Sequence, residues 1–88
     1  MRIRVRRTGG FAGIERVGEV DTSGRADADE WCALAERAVS GGRGAPPAGV
    51  PDGFSYQITV DGTTVYAADP TLTGEQRRLV SRVLKEGA

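Results

Sequence analysis

The sequence predicts an α+β domain, a four-stranded antiparallel sheet with two helices packed on one face, in the order ββαββα. Three observations predict it. Two pairs of segments alternate apolar and polar residues, the mark of half-buried strands. Each pair is followed by a stretch whose apolar residues recur at helical spacing. An Asp61-Gly62 dipeptide joins the second pair, a strong two-residue hairpin signal. Strands interleaved with single helices in this way give an α+β domain, whose sheet keeps one polar face and covers the other with its helices. The sequence leaves the strand order open, since two hairpins can join into one sheet in several ways.

The first strand is read over residues 2–7. Ile3 and Val5 fall on one face, and Arg2, Arg4 and Arg6 on the other. Thr8-Gly9-Gly10-Phe11-Ala12-Gly13 follows, three glycines around one aromatic, where a chain turns sharply. The return strand is read over residues 13–20, and the short separation makes a hairpin the natural pairing. Its alternation is imperfect, and Gly18 suggests a bulge or a close contact. Glu15 and Glu19 can then stand across from the arginines. Each such exposed pair contributes only about 0.2–1 kcal/mol.

After a polar connection, Asp27 stands three residues before Glu30, the pattern of a capping box. Trp31, Leu34, Ala35, Ala38 and Val39 form one apolar stripe of a helix over residues 28–39, and Gly41 and Gly42 end it. Glycine and proline then dominate residues 41–53, which read as a long surface loop. Phe54, Tyr56, Ile58 and Val60 alternate with Ser55, Gln57 and Thr59 in the clearest strand, and residues 63–67 return from the turn. Asp69-Pro70 is expected to end that strand. Thr73 and Gln76 offer a second capping box. Leu79, Val80, Val83 and Leu84 make the stripe of the terminal helix, with Arg77, Arg78, Arg82, Lys85 and Glu86 expected to face water and Gly87 to stop it.

Eighty-eight residues are expected to form a single domain, residues 1–88. A chain of this size buries roughly 60% of its unfolded surface, so its stability is modest. Twelve basic and twelve acidic side chains balance, so no global charge calls for nucleic acid or a membrane. No apolar run is long enough to span a bilayer, and no apolar segment follows the N-terminal arginines as in a secretory signal. Cys32 is the only cysteine, so no internal disulfide or thiolate metal cluster forms. The expected compartment is the reducing cytoplasm.

Chemistry is hard to find in the chain. Histidine is absent, which removes Ser-His-Asp and Cys-His catalysis and the commonest metal ligand. Glu15 with Glu19, and Asp27 with Asp29 and Glu30, read as a solvated strand face and as charges complementing a helix dipole. Cys32 has no basic neighbour close in sequence to lower its pKa and reads as a packed, inert thiol. Gly9, Gly10 and Gly13 fit no phosphate-cradle spacing, and a strand rather than a helix follows them. Arg2, Arg4, Arg6, Phe11 and Tyr56 could hold a single-stranded nucleic acid, but arginines paired with glutamates on an outer sheet face account for the same residues. No catalytic residue, cofactor-binding residue or metal ligand is assigned, and function is expected from a binding surface. Phe11 either caps the end of the sheet or stands exposed as a binding anchor, since aromatic residues dominate interface hot spots.

The opening residues, from Met1 through Arg6, Thr8-Gly9-Gly10-Phe11-Ala12-Gly13 and Ile14-Glu15-Arg16, resemble the start of the emfourin family. These are small protein inhibitors of protealysin-like enzymes, a branch of the thermolysin-type zinc metallopeptidases. The family opens with a basic strand, then Ser-Gly-Gly-Phe-Ala-Gly, and Thr8 keeps the hydroxyl of that serine. The likeness continues through the central helix, the strand Phe54–Val60, its hairpin and the terminal helix. This copy has a tight second hairpin and a short central connection.

The resemblance implies a non-catalytic competitive inhibitor that blocks the cleft of a metallopeptidase partner. No cofactor is expected, the chain is expected to act as a monomer, and its balanced charge and lack of a spanning apolar run give no reason to expect nucleic acid or a membrane as partner. It implies that Thr8, Gly9, Gly10, Phe11, Ala12 and Gly13 touch the partner, with Phe11 filling an apolar pocket of the cleft. Lack of histidine and a packed Cys32 argue against zinc chelation by side chains, leaving the Met1 α-amine or an aspartate as candidates. The loop over residues 41–53 is a second candidate contact, through Val50, or a tolerated insertion. A generic protein-interaction domain and a nucleic-acid-binding module are the alternatives.

Overall fold

A computed structural model describes residues 1–9, 15–42, 44, 54–68 and 72–87. The elements run β1 (Arg2–Gly9), β2 (Arg16–Asp21), α1 (Ala28–Ser40), β3 (Phe54–Val60), β4 (Thr63–Ala68) and α2 (Gly74–Glu86). The four strands form one antiparallel sheet in the order β2-β1-β3-β4. The two hairpins therefore join through their first strands, and β1 and β3 lie at the centre.

The sheet faces follow the alternation. Ile3, Val5, Val20, Tyr56, Ile58, Val60 and Val65 are buried on one side, where both helices pack. From α1 come Trp31, Leu34, Ala35 and Ala38, and from α2 Leu79, Val80, Val83 and Leu84. The other face carries Arg2, Arg4 and Arg6, all exposed. Arg2 Nε lies 3.0 Å from Glu19 Oε1, and Arg6 Nη2 lies 2.9 Å from Glu15 Oε2. Both pairs lie in solvent, where screening and side-chain entropy leave them little stabilising value.

Strand β2 begins at Arg16 among the described residues, and Gly18 makes a close contact rather than a bulge. The register from Arg2↔Asp21 to Arg7↔Arg16 is unbroken. A Cβ on Gly18 would stand 2.6 Å from the Val83 carbonyl oxygen, so a side chain there would push α2 off the sheet. The Asp61-Gly62 hairpin forms with φ of 47° and 85°, the type I′ pattern. Strand β4 runs to Ala68, and the Asp69-Pro70 stop lies outside the described residues.

The two helix starts differ. Thr73 and Gln76 form the expected capping box: Gln76 N–H donates to Thr73 Oγ1 and Thr73 N–H donates to Gln76 Oε1. Asp27 precedes α1 but makes no side-chain cap, contrary to the sequence expectation. Its carboxylate is occupied elsewhere. Trp31 Nε1 donates to Oδ2 at 3.1 Å, Arg25 Nε donates to Oδ1 at 2.9 Å, and Arg82 Nη2 reaches Oδ2 at 3.4 Å. Arg82 is therefore not simply a water-facing residue of α2. Its guanidinium lies 4.2 Å from the centre of the buried Trp31 ring, with that of Arg25 at 5.5 Å. Such stacking contributes about 0.5–2 kcal/mol where the ring is dry. Glu86 completes the group, 3.0 Å from Arg25 and 3.6 Å from Arg82. Cys32 is half-buried rather than fully packed.

The hydrogen bond from Arg25 is the main force holding the Asp27 carboxyl below its ordinary 3.8, at about 2, with the Trp31 indole adding to it against partial desolvation. A carboxyl whose folded pKa is depressed stabilises the fold above its unfolded pKa and loses that contribution as pH falls through the folded value. Stability should therefore fall between about pH 4 and pH 2, and Asp27→Asn should flatten that part of the curve while leaving the slope above about pH 5 unchanged. Urea midpoints measured across this range for both proteins check it.

Candidate partner-binding site

Strand β1, which precedes residues 10–13, is a central strand of the sheet. Strand β1 pairs with β2 as far as Arg7↔Arg16 and with β3 as far as Gly9↔Phe54. Its last two residues, Thr8 and Gly9, thus extend beyond β2 with β3 alone at their side. Thr8 is half-buried and Gly9 exposed. Gly9 has φ of 90°, a left-handed conformation that a side chain would strain. Arg6 and Glu15 bracket the connection on the outer face through their ion pair, which raises the Arg6 pKa, first through the hydrogen bond and then through the charge of Glu15. Of the sequence-predicted contact residues, only Thr8 and Gly9 fall among the described residues. Gly10, Phe11, Ala12, Gly13 and Val50 lie outside them.

On the helix side, the same end of the sheet holds residues that sequence reasoning missed. Arg7 shares the parity of Ile3 and Val5, so it turns inward, toward the layer of the helices. Its cross-strand neighbours are Arg16 on β2 and Tyr56 on β3. The Arg7 guanidinium carbon lies 4.2 Å from the centre of the Phe54 ring, and Phe54 meets Tyr56 at 6.5 Å with a tilt of 56°. Arg16 Nη2 donates to the Leu84 carbonyl at 3.5 Å, in the last turn of α2, where a cation complements the helix dipole. Arg7 Nε is enclosed and has no hydrogen-bond partner among the described residues. An unmet buried donor costs about 1–3 kcal/mol. The signal was present in the alternation, since counting by twos from Ile3 puts Arg7 inside, whereas its stacking on Phe54 depends on a pairing between distant strands.

Arg7, Arg16 and Lys85 border a cleft of about 390 Å³ whose walls include Tyr56, Val80 and Leu84. Among the described residues no group of three or more His, Cys, Asp or Glu could hold a metal ion, and no carboxylate lines this cleft. The buried position of Tyr56 also removes it as a base-stacking surface, and Arg2 and Arg6 are paired with glutamates. No helix among the described residues is long and apolar enough to cross a membrane. Among the described residues, what this end of the molecule offers is a base paired through Arg7↔Arg16 and Gly9↔Phe54.

The family model described as Emfourin matches residues 5–84, most of the chain. No curated protein and no solved structure matches it.

The conformation of Gly9 makes one outcome specific. Gly9→Ala should lower stability by about 1–2 kcal/mol, because it forces a side chain into left-handed backbone. Thr8→Ala, at a half-buried strand end, should stay within about 0.5 kcal/mol of the parent. Urea unfolding of the two variants checks the contrast.

Proposed function

Because the chain belongs to the Emfourin family, we propose that it inhibits a protealysin- or thermolysin-type zinc metallopeptidase by filling the active-site cleft with the loop around Phe11. Family membership implies the coarser role, a metallopeptidase inhibitor rather than an enzyme. The single observation that supports the finer mechanism is the anchoring of β1. Strand β1 is paired on both sides as far as Arg7, opposite Arg16, and on the β3 side as far as Gly9, and Gly10-Phe11-Ala12-Gly13 follows in sequence.

With Arg7 and Arg16 paired, the chain on either side of the loop is already fixed before binding, which lowers the entropic cost of association. Glycines on both sides of Phe11 allow backbone to approach a narrow cleft, and the aromatic ring supplies the apolar anchor. The inhibitor works by occupancy, with no bond made or broken by its own side chains. Val50 is proposed as a secondary contact from the connection between α1 and β3. The reducing cytoplasm is the proposed compartment, on the strength of a single free thiol at Cys32.

Inhibition of a thermolysin-type peptidase by the purified chain is the direct test. Phe11→Ala should raise the inhibition constant by roughly thirtyfold or more, the size of an interface hot spot, while leaving the urea midpoint unchanged. Equal inhibition by this variant would remove Phe11 as the anchor. Full peptidase activity in micromolar excess of the wild-type chain would remove the proposed target class.

A further inference from the structure

The geometry points to a carboxylate-binding site in the cleft between the inner face of the sheet and α2, with Arg7, Arg16 and Lys85 as its cationic rim. The site is built from residues of β1, β2, β3 and α2, and its logic does not depend on peptidase inhibition.

Like charges directly opposite on neighbouring strands repel, and Arg7 and Arg16 are paired that way on the side of the sheet facing the helices. Lys85 on α2 adds a third positive group to the same cleft. The acidic side chains nearby are engaged elsewhere. Glu15 and Glu19 pair with Arg6 and Arg2 on the outer face, and Glu86 pairs with Arg25 and Arg82. No carboxylate among the described residues lines the cleft. Arg7 is already oriented by stacking on Phe54, and its enclosed Nε–H has no acceptor among the described residues.

The walls narrow the ligand class. Tyr56, Val80 and Leu84 are buried core residues that reach the cleft and give it an apolar floor. A planar guanidinium fork favours a planar two-oxygen acceptor, and an apolar floor favours a short hydrocarbon stem. The matching ligand is an organic carboxylate on a few methylenes. A free short-chain acid and a glutamate side chain of a bound polypeptide both present this chemistry.

The test is a titration of the isotope-labelled full chain, followed by NMR at the arginine Nε–H groups. The probes are hexanoate, a blocked glutamyl amide, inorganic phosphate and hexanol, at constant pH and ionic strength. Saturable shifts at Arg7 and Arg16 with hexanoate or the glutamyl amide are expected, and the tighter of the two identifies the source. Arg16→Gln should weaken binding by about tenfold, and Lys85→Gln, at an exposed helix position that does not threaten folding, by about threefold. Four results would overturn the assignment: no saturable shift with either organic acid, an equal response to hexanol, phosphate binding as tight as the organic acids, or unchanged affinity in both variants.

Discussion

Strand β1 is hydrogen-bonded on both sides and dry on only one face, and the rest of the molecule depends on that combination. Ile3 and Val5 are fully buried, while Arg2, Arg4 and Arg6 between and beside them are exposed. A slip of one residue would turn those arginines into the core and the aliphatic residues out. Burying unpaired cations is costly enough to fix the register against both β2 and β3. With β1 fixed, β2 is placed with Gly18 beneath Val83, β3 brings Ile58 and Val60 into the same layer, and both helices find one continuous apolar face.

Charge in this molecule is sorted by face and by end. The outer sheet face pairs basic and acidic residues across strands, at small energetic value. Around Trp31, two arginines, Asp27 and Glu86 tie the connection before α1 to the end of α2. On the inner face, Arg7 and Arg16 stand together with no carboxylate of the described chain lining their cleft. The first two arrangements are internally compensated and belong to the scaffold. The third leaves cationic capacity at the end of the sheet where β1 closes at Gly9.

Much of this was legible in the sequence, for local reasons. The alternation of Phe54–Val60, the Asp61-Gly62 turn and the Thr73/Gln76 capping box are decided by residues within a few positions of one another, and each forms as expected. The misreadings share a different cause. Asp27 fails to cap α1 because an indole and two guanidiniums, one of them from α2, take its oxygens. Arg82 leaves open water for the Trp31 ring for the same long-range reason. Strand order was illegible because it rests on β1 pairing with β3, far apart in sequence. Of the site, the inward turn of Arg7 could have been counted from Ile3, but its contact with Phe54 could not. The loop residues 10–13 were singled out by composition and family likeness, and their conformation lies outside the described residues.

The central claim is that β1 stays firmly paired up to the point where the loop begins. Amide hydrogen exchange of the free protein tests it most directly. Arg6 and Arg7, the last residues of β1 with a neighbour on each side, should exchange as slowly as Ile3 and Val5, through global unfolding alone. Exchange at Arg6 and Arg7 as fast as at the exposed turn residue Gly24, with Ile3 and Val5 still protected, would contradict the account, because the loop would then have no firm base.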